Sequence, residues 1–538
     1  MDLVDNQKEI VIKEWESESV ENGLEKYLGY PSILKAVEDT ELTSQVEALC
    51  RMLNKESVFL SGVAGAGKSF VINKFVRIMQ DYFINQGVDP VDIDKKIVVT
   101  GATGSAAANI GGKTIHSALG LGICSTPIDP KQLLKRPYQK EIKLSPGFYS
   151  AYHALKPLEV LIIDEVSMLD SVFIDNIDVV LKTAKRSKEP FGGVTMVFVG
   201  DFMQLPPVRK EDVGFAFESE AWQELNPKLL FMSKSRRSQD NRLNVILNDM
   251  RNGVLSKETK QYIKEAKARE GQESYVRLFT KNSDVDSYNT KKLLEIKEPS
   301  FQYDAFIEPF FTNSLKSPNN NSKTIINGKA KALKQLGLVD NKGNKKILEL
   351  KKGATVLITR NFFATDKKTK FLSQVVNGDV GVITEISKNV VTVKLNRNNV
   401  EVNIPHINSE QEFGVPYKIN NDTEIIRDVF RIRYMPLKLC FATTVHKSQG
   451  QTLDGVVVDL SQCFTPGLGY VAISRVANLD NLSISKITRS SFDRDKKCAD
   501  MSKKIEIEAK KNKDNFKSDI DKYEIILSTP DFLKVIWV

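Results

Sequence analysis

Cysteine and histidine are scarce in this chain, and their scarcity limits the chemistry it can carry. The 538 residues include five cysteines, at positions 50, 124, 440, 463 and 498, and no two of them form a C-x-x-C pair. Four scattered histidines add little material for a metal centre. The sequence therefore argues against a disulfide framework and against a zinc site, and it predicts reduced thiols in a cytoplasmic protein.

Long apolar runs and a secretory leader are also missing. No apolar stretch reaches the roughly 20 residues that cross a bilayer, and the first residues, Met1–Asp5, are acidic, so we expect no membrane association. Charge is nearly balanced, because 77 Lys and Arg against 68 Asp and Glu leave a net charge of +9. This excess permits a polyanionic partner without requiring one. The length predicts about two to four domains.

The most informative stretch is a glycine-rich turn of the pattern G-x-x-x-x-G-K-S. It consists of Gly62, Val63, Ala64, Gly65, Ala66, Gly67, Lys68 and Ser69. An apolar run of strand type precedes it, and a run with helical periodicity follows. Strand, turn and helix in this order predict a phosphate-binding loop, in which backbone N–H groups and the helix N-terminus bind a polyphosphate. We expect Lys68 to reach the β- and γ-phosphates of ATP and Ser69 to bind Mg²⁺.

Two further apolar runs end in polar residues suited to ATP hydrolysis. Asp164 and Glu165 follow the run 158–163, and Gln204 lies shortly after the run 194–199. Hydrolysis needs a bound metal and an oriented water. We therefore expect Asp164 to hold Mg²⁺, Glu165 to act as general base and Gln204 to sense the γ-phosphate. The alternative for Asp164 and Glu165 is a pair of solvated charges at the end of a strand, and the alternative for the segment with Gln204 is a proline turn on a loop.

Strand-type and helix-type runs alternate over most of the chain, which predicts an α/β fold with parallel sheets. One alternating block begins near residue 41 and a second near residue 228. Two stretches break the alternation. Residues 118–155 are rich in Pro and Lys and suggest a small insertion, whereas 353–404 carry short β-rich runs typical of a small β-barrel.

The second block carries candidates for catalysis and for nucleic-acid contact. A separate, mobile element can supply an arginine to the transferred phosphoryl group, and Arg237 and Arg475 are candidates, although single arginines are more often surface residues. The run 443–452 is dense in hydroxyl groups and includes a lysine, a composition suited to phosphodiester contact. In the first insertion, Phe148 and Tyr149 are candidates for separating strands, although such aromatics more often belong to a core.

Together, these motifs resemble those of the PIF-type (petite integration frequency) superfamily 1B DNA helicases, which are related to the Dda and RecD helicases. The resemblance extends over about residues 41–490 and follows the family's motif order. The matching segments are Gly62–Ser69 (motif I), Thr100–Ala107 (Ia), Thr114–Ser117 (Ib), Ile163–Met168 (II), Pro190–Gly193 with Gly200–Val208 (III), Arg237 with Leu247–Gly253 (IV), Thr443–Leu453 (V) and Gly469–Arg475 (VI). Ser238 departs from the family, which usually has glutamine there.

The resemblance implies two RecA-like P-loop domains with ATP between them, a wedge insertion and an SH3-like β-barrel insertion. The implied units are an N-terminal extension (1–40), a first domain (41–230) with the wedge (about 118–155), a second domain (231–298 and 435–490), an inserted region (299–434) with the barrel (about 353–404), and a C-terminal tail (491–538).

The resemblance also implies ATP-driven movement 5′→3′ along single-stranded DNA with unwinding of the duplex ahead, in replication, recombination or repair. Gln45 would contact the adenine of ATP. The residues that would contact the tracking strand are Thr103, His116, Thr444, His446 and Lys447. Single-stranded DNA, forked DNA and a single-strand-binding or replisome protein are the implied partners.

Two alternatives remain open from the sequence. A non-unwinding, ATP-gated switch or assembly factor would bind DNA in an ATP-dependent way without directional movement. An RNA helicase is the other alternative, because nothing in the residues distinguishes the sugar. Arg475 and the run 443–453 favour the motor, since a simple switch needs neither a trans-acting arginine nor a strand-tracking surface.

Overall fold

The computed structural model describes residues 43–518 with gaps. The gaps are 104–105, 108–109, 122–125, 129–154, 208–212, 270–274, 313–328, 331–332, 334–335, 337, 340–344, 361, 376–377, 397 and 420–421. The predicted N-terminal extension, most of the predicted wedge and the candidates Phe148 and Tyr149 lie outside the described residues. Among the helices that are described, none combines the length and the apolar character needed to cross a membrane.

The first α/β unit is built on a six-stranded parallel sheet with the spatial order β3-β2-β4-β5-β1-β6. Its strands are β1 (Val58–Gly62), β2 (Ile97–Gly101), β3 (Lys113–Thr114), β4 (Val160–Asp164), β5 (Thr195–Val199) and β6 (Lys228–Met232). Its helices are α1 (Thr43–Leu53), α2 (Lys68–Asn85), α3 (Pro90–Lys96), α4 (Ile115–Ala118), α5 (Ser171–Lys185) and α6 (Glu220–Leu225). The phosphate-binding loop lies between β1 and α2, as the sequence predicts.

Both faces of this sheet are buried, which explains the unbroken apolar character of its strands. Successive side chains alternate between the two faces. Phe59 and Phe198 pack into a cluster with α5, whereas their neighbours Val58 and Val197 pack into a second cluster with α1 and α2. The carboxyl ends of β1, β4 and β5 therefore lie side by side and carry the phosphate loop, Asp164 and the loop with Gln204.

The second α/β unit contains a four-stranded parallel sheet with the order β20-β7-β21-β22. Its strands are β7 (Val276–Phe279), β20 (Ala442–Thr444), β21 (Val456–Leu460) and β22 (Leu482–Ile487). Its helices are α7 (Asn241–Asn252), α8 (Lys257–Ala268), α9 (Asn282–Glu295), α10 (Val445–Ser448) and α11 (Leu468–Ile473). The sheet thus joins segments that lie on both sides of residues 299–434.

The predicted β-barrel corresponds to a seven-stranded antiparallel sheet with the order β13-β12-β16-β15-β14-β11-β19. Its strands are β11 (Thr355–Ile358), β12 (Phe362–Asp366), β13 (Leu372–Val375), β14 (Val380–Ile386), β15 (Val390–Leu395), β16 (Glu401–Pro405) and β19 (Leu437–Leu439). Buried Val, Ile and Leu side chains give it a core of its own. Strand β19 lies beyond the predicted end of the inserted region at residue 434 and leads directly into β20.

Sequence reasoning missed a second antiparallel sheet in the inserted region. Strands β17 (Ile407–Ile419) and β18 (Asp422–Tyr434) pair along their whole length, and β9 (Phe306–Thr312) pairs with β18. A further pair joins β8 (Ser300–Tyr303) to β10 (Leu348–Lys351). The polar sequence of β17 lacks the alternation that marks a half-buried strand, and pairing with β9 joins segments that are distant in sequence.

The last helix, α12 (Lys496–Ser518), packs against the first unit. Phe516 is buried in the cluster of α1 and α2, and the side-chain amide of Asn512 donates to the carbonyl oxygen of Leu229 in β6 (2.9 Å). The segment that the sequence assigns to a C-terminal tail therefore includes a helix fixed to the first unit. Strand β6 itself crosses the predicted domain boundary at residue 230.

Candidate active site and nucleic-acid interface

The phosphate-binding loop has a backbone conformation that glycine adopts most easily. Gly65 and Gly67 have φ angles of 74° and 90°, in the left-handed region. Helix α2 begins directly after Gly67, so its first N–H groups point towards the loop. The loop therefore has the form expected of a polyphosphate site.

Lys68 lies inside this loop. Its ammonium group donates to the carbonyl oxygens of Gly62 (2.9 Å) and Val63 (3.3 Å). Burial lowers the pKa of Lys68, and the nearby carboxylates, Asp201 foremost, oppose that shift. The described hydrogen bonds of this partly buried ammonium go to two loop carbonyls, so the group is well suited to bind an anion.

Asp164 and Glu165 end β4 beside the loop. The Asp164 carboxylate accepts a hydrogen bond from the Glu165 backbone N–H (2.9 Å), and Glu165 has a φ of 55°, which turns the chain sharply after the strand. Burial, and then the charge of Glu165, raise the pKa of Asp164 to about 7. Such a buried carboxylate pair favours a cation nearby.

The oxygen donors around this carboxylate pair fit Mg²⁺. Asp164 and the hydroxyl group of Ser69 line the same cleft, and Mg²⁺ prefers one or two carboxylates together with substrate phosphates. Within the described ranges, no group of three or more His, Cys, Asp and Glu side chains could hold a metal alone. The donor set therefore suits a metal that binds together with a nucleotide.

Gln449 is a site residue to which sequence reasoning assigned no role. Its amide nitrogen donates to Glu165 Oε2 (3.1 Å) and lies 3.4 Å from Gln204 Oε1. Gln449 belongs to the second unit, whereas Glu165 and Gln204 belong to the first. It therefore links the candidate general base to the candidate phosphate sensor across the interface. Its place in the hydroxyl-rich run 443–452 was the available signal.

Arg237 reaches the cleft next to the phosphate loop. Its backbone N–H donates to the carbonyl oxygen of Gly65 (3.1 Å), and its guanidinium donates to the carbonyl oxygen of Ser474 (2.8 Å). Burial lowers its pKa, while Tyr470 and Glu165 oppose that shift. Arg237 thus connects the phosphate loop to the end of α11.

Arg475 is 2% exposed and directly follows Ser474. Its guanidinium donates to the Ser474 hydroxyl oxygen (2.7 Å) and to the carbonyl oxygens of Val471, Ser448 and Gln451. Burial, and then the neighbouring Arg237, lower the pKa of Arg475 to about 9. The second unit therefore holds this guanidinium with its own backbone at the edge of the cleft.

A single cleft of about 920 Å³ brings all the predicted catalytic residues together. The residues are Lys68, Asp164, Glu165, Gln204, Arg237 and Arg475. The phosphate loop from Ala64 to Ser69 forms one wall, and residues 450–455 of the second unit form part of the other. Side chains that are scattered over the sequence therefore converge where two domains meet.

A second cleft of about 820 Å³ lies on the other side of the phosphate loop and contains Gln45. Gln45 is 7% exposed, and its amide nitrogen has no hydrogen-bond partner among the described residues. Arg236 from the second unit and Lys513 from α12 line the same cleft. An unsatisfied buried donor is costly, so this amide is placed to bind a ligand acceptor such as an adenine ring nitrogen.

Three of the predicted nucleic-acid residues, His116, His446 and Lys447, lie in one-turn helices at equivalent places in the two units. Thr114 caps α4, where its hydroxyl accepts from the N–H of Ser117, and Thr444 caps α10, where its hydroxyl accepts from the N–H of Lys447. Each helix follows the carboxyl end of a strand, β3 or β20. Thr103 follows β2, and its hydroxyl accepts from the Ala106 N–H (3.2 Å).

The histidines of these helices pack against phenylalanine rings. The rings of His116 and the buried Phe173 lie 4.5 Å apart, and His446 lies 6.2 Å from Phe464 at an interplanar angle of 15°. Burial lowers the pKa of both histidines, so both are neutral near pH 7 and can act as hydrogen-bonding groups. Phe464 is 60% exposed and was not predicted. An exposed ring beside a histidine can stack on a nucleobase.

Comparison with known proteins relates the sequence and the fold of this chain to one family. The model of the PIF1-like helicase family matches residues 37–261. The ATP-dependent DNA helicase Pif1 of Bdellovibrio bacteriovorus is 30% identical over 454 residues, which cover 84% of this chain and 89% of that protein. The chain belongs to the PIF1-like helicase family.

Other relatives of this PIF1-like helicase support the same family and the same fold. The ATP-dependent DNA helicase RRM3 of Saccharomyces cerevisiae is 27% identical over 86% of this chain and 68% of its own length. The crystal structure of Pif1 helicase from Candida albicans matches 86% of this chain and 98% of its own, at 27% identity and a TM-score of 0.66. The structure of Bacteroides Pif1 in complex with ADP-AlF3 and ssDNA covers 86% of this chain and 97% of its own, at 28% identity and a TM-score of 0.59. The predicted family and fold are confirmed.

The family match does not cover every predicted site of this PIF1-like helicase. The range 37–261 includes Gln45, the phosphate loop and Arg237. Arg475 and the run 443–453 lie beyond it. Arg475 lines the cleft, whereas the DNA contacts of Thr444, His446 and Lys447 stay a prediction. The relation to the Dda and RecD helicases stays a prediction.

Proposed function

We propose that this protein is an ATP-dependent DNA helicase that moves 5′→3′ along single-stranded DNA and unwinds the duplex ahead of it. The observation that carries the proposal is the interdomain cleft, which gathers six side chains suited to ATP hydrolysis from both units. Relatives support it: Bdellovibrio bacteriovorus Pif1 and Saccharomyces cerevisiae RRM3 are ATP-dependent DNA helicases, and similar solved structures include Bacteroides Pif1 bound to ssDNA and Pif1 helicases unwinding forked dsDNA.

In this proposal the phosphate loop binds the triphosphate of ATP. Lys68 exchanges its bonds to loop carbonyls for bonds to the β- and γ-phosphate oxygens, and Gln45 donates to the adenine. Ser69 and Asp164 would hold Mg²⁺, which when bound neutralises phosphate charge. Each of these groups already lies at the wall of one of the two clefts.

Hydrolysis then depends on groups from both units. Glu165 accepts the proton of the attacking water as general base, and Gln449 holds its carboxylate in place from the second unit. Gln204 contacts the γ-phosphate through the same amide network. Arg237 and Arg475 neutralise the charge that develops on the transferred phosphoryl group. Because the second unit supplies both arginines, closure of the cleft completes the site.

The same closure moves the DNA contacts. Thr103 and His116 belong to the first unit, whereas Thr444, His446 and Lys447 belong to the second. Opening and closing the cleft changes the distance between these two contact groups, which is the physical basis of stepping along a strand. We add Phe464 to the second group as a stacking residue. The 5′→3′ direction is supported by the family resemblance.

Three further assignments are proposals of the same kind. We propose that the insertion at about 118–155 is the wedge and that Phe148 and Tyr149 separate the strands of the duplex. A single-strand-binding or replisome protein is the proposed partner, and replication, recombination or repair the proposed setting. These assignments are supported by the position of the insertion in the family's motif order.

Duplexes with a single-stranded tail on one side test the proposal. We expect ATP-dependent unwinding of a duplex with a 5′ tail and none of a duplex with only a 3′ tail. DNA-stimulated ATP hydrolysis without unwinding of either substrate would instead indicate the ATP-gated switch. Preferred unwinding from an RNA tail would indicate an RNA helicase. A Lys68→Ala variant serves as the control for unwinding that does not depend on ATP.

A further inference from the structure

A buried ion pair joins the two α/β units beside the ATP cleft. Arg251, near the end of α7, donates to the carboxylate of Asp201, which follows β5 (2.6 Å). The side chains are 6% and 0% exposed. Placing two charges in a protein interior is costly unless their geometry is well satisfied. A buried ion pair at a domain interface therefore suggests that the two charges fix the relative positions of the segments that carry them.

Asp201 connects this pair to the catalytic groups. The oxygen that accepts from Arg251 also accepts from the backbone N–H of Met203 (3.1 Å), and the Asp201 carbonyl oxygen accepts from the N–H of Gln204 (3.0 Å). These bonds shape the loop that carries Gln204. Burial lowers the pKa of Lys68, and Asp201 is the nearby carboxylate that most strongly opposes this shift.

Arg251 is also connected to the phosphate loop. The hydroxyl group of Tyr470 in α11 accepts a hydrogen bond from the backbone N–H of Ala64 in the phosphate loop (2.9 Å). Burial raises the pKa of this hydroxyl, and the nearby charge of Arg251 opposes that shift. The guanidinium stacks on the ring of Phe231 in β6 as well (5.2 Å). Arg251 therefore contacts both units at once.

Helix α12 supplies the remaining partners of Arg251. The guanidinium donates to the Ser502 hydroxyl oxygen (2.9 Å), and its Nε lies 3.7 Å from Glu506 Oε1. The Ser502 hydroxyl in turn donates to the same Glu506 oxygen (3.5 Å). Within the described residues Nε has no hydrogen-bond partner, and Glu506 is half-exposed, so this carboxylate has room to approach.

We propose that α12 is a working part of the ATPase, in which Ser502 and Glu506 hold Arg251 on Asp201 and so position the Gln204 loop. Arg251 is then a positioning residue for hydrolysis. Since α12 is fixed to the first unit and Arg251 belongs to the second, the contact changes as the cleft opens and closes. The inference rests on the proposed hydrolysis of ATP at this cleft.

The test uses the full chain with Ser502→Ala, Glu506→Gln and the double substitution. We expect the double variant to lower kcat for DNA-stimulated ATP hydrolysis about five- to tenfold, in the range for the loss of a typical hydrogen bond. The KM for ATP should stay unchanged. Glu508→Gln is the matched control, because Glu508 lies on the same helix and pairs at the surface with Lys504. It should leave kcat unchanged.

The split between kcat and KM separates positioning from a general loosening of the helix. Lys513 of α12 lines the cleft that contains Gln45, so a displaced helix would raise the KM for ATP and lower the melting temperature. That outcome, or an unchanged kcat in the double variant, would overturn the inference. Glu506→Gln alone, at a half-exposed position, keeps the test decisive if the double variant folds poorly. A wild-type protein without ATPase activity would instead refute the proposed function.

Discussion

Replacing Gly65 with alanine tests whether the phosphate-binding loop sets the position of Arg237. A Cβ atom at residue 65 would lie 2.5 Å from the Cβ of Arg237 and 2.9 Å from the Oγ of Ser235. Carbon atoms in contact are normally about 3.5–4.0 Å apart, so Arg237 must retreat by about 1 Å or more. The carbonyl oxygen of Gly65 accepts from the N–H groups of Arg236 and Arg237, which ties the two segments together.

The substitution has two separable costs. A residue other than glycine in the left-handed region loses roughly 1–2 kcal/mol of folding free energy. Misplacing a catalytic group by about 1 Å can reduce turnover about a hundredfold. We therefore expect Gly65→Ala to lower kcat for ATP hydrolysis about a hundredfold while the free energy of unfolding falls only by roughly 1–2 kcal/mol.

Gly87→Ala is the matched control for this prediction. Gly87 has a φ of 76°, close to that of Gly65, but a Cβ atom added there would have no other atom within 4 Å, so the variant has the backbone cost without the collision. Steady-state ATPase assays with single-stranded DNA, urea unfolding and an equilibrium titration with ATP separate turnover, stability and binding. A Gly65→Ala kcat within about threefold of wild type, or an equal loss in Gly87→Ala, would refute the reasoning.

Four other substitutions have defined outcomes. Lys68→Ala should abolish hydrolysis with an unchanged circular dichroism spectrum, because it removes a charge from a ligand site; near-normal ATPase activity would contradict this. Glu165→Gln should retain ATP binding and lose turnover, since an amide cannot accept the proton of water; retained turnover would exclude Glu165 as the base. Gln449→Ala should lower kcat about tenfold or more, and an unchanged rate would remove it from the site. Phe464→Ala should weaken single-stranded DNA binding about fivefold or more in an anisotropy titration, whereas the exposed Tyr82→Ala should not; equal effects would refute the stacking role.

Local patterns in the sequence were sufficient to predict the strands, the loop and the helix that form the first unit's wall of the cleft. The phosphate loop needs glycine at left-handed positions and a helix directly after it, and both requirements are visible within residues 57–79. The strands that end at Asp164 and before Gln204 are buried on both faces, so their apolar runs are unbroken. Order along the chain and the rules of parallel sheets then bring their carboxyl ends together.

The contacts between distant segments were decided by the tertiary structure. Gln449 meets Glu165 only because two sheets face each other across the cleft, and Arg251 meets Asp201 and Ser502 only because α12 returns to the first unit. Gln449, Asp201 and Arg251 lie in segments that match family motifs, but no local pattern in the sequence indicates these partners.

By itself, the sequence predicted the residues that the structure gathers in one cleft, because the backbone conformation of the loop and the burial of its strands depend on near neighbours. It also identified the family through the order of its motifs. Only the tertiary structure decided how the second unit and α12 contact the first unit beside this cleft. The physical reason is that hydrogen bonds and ion pairs between remote segments depend on how whole domains pack, which no local pattern records.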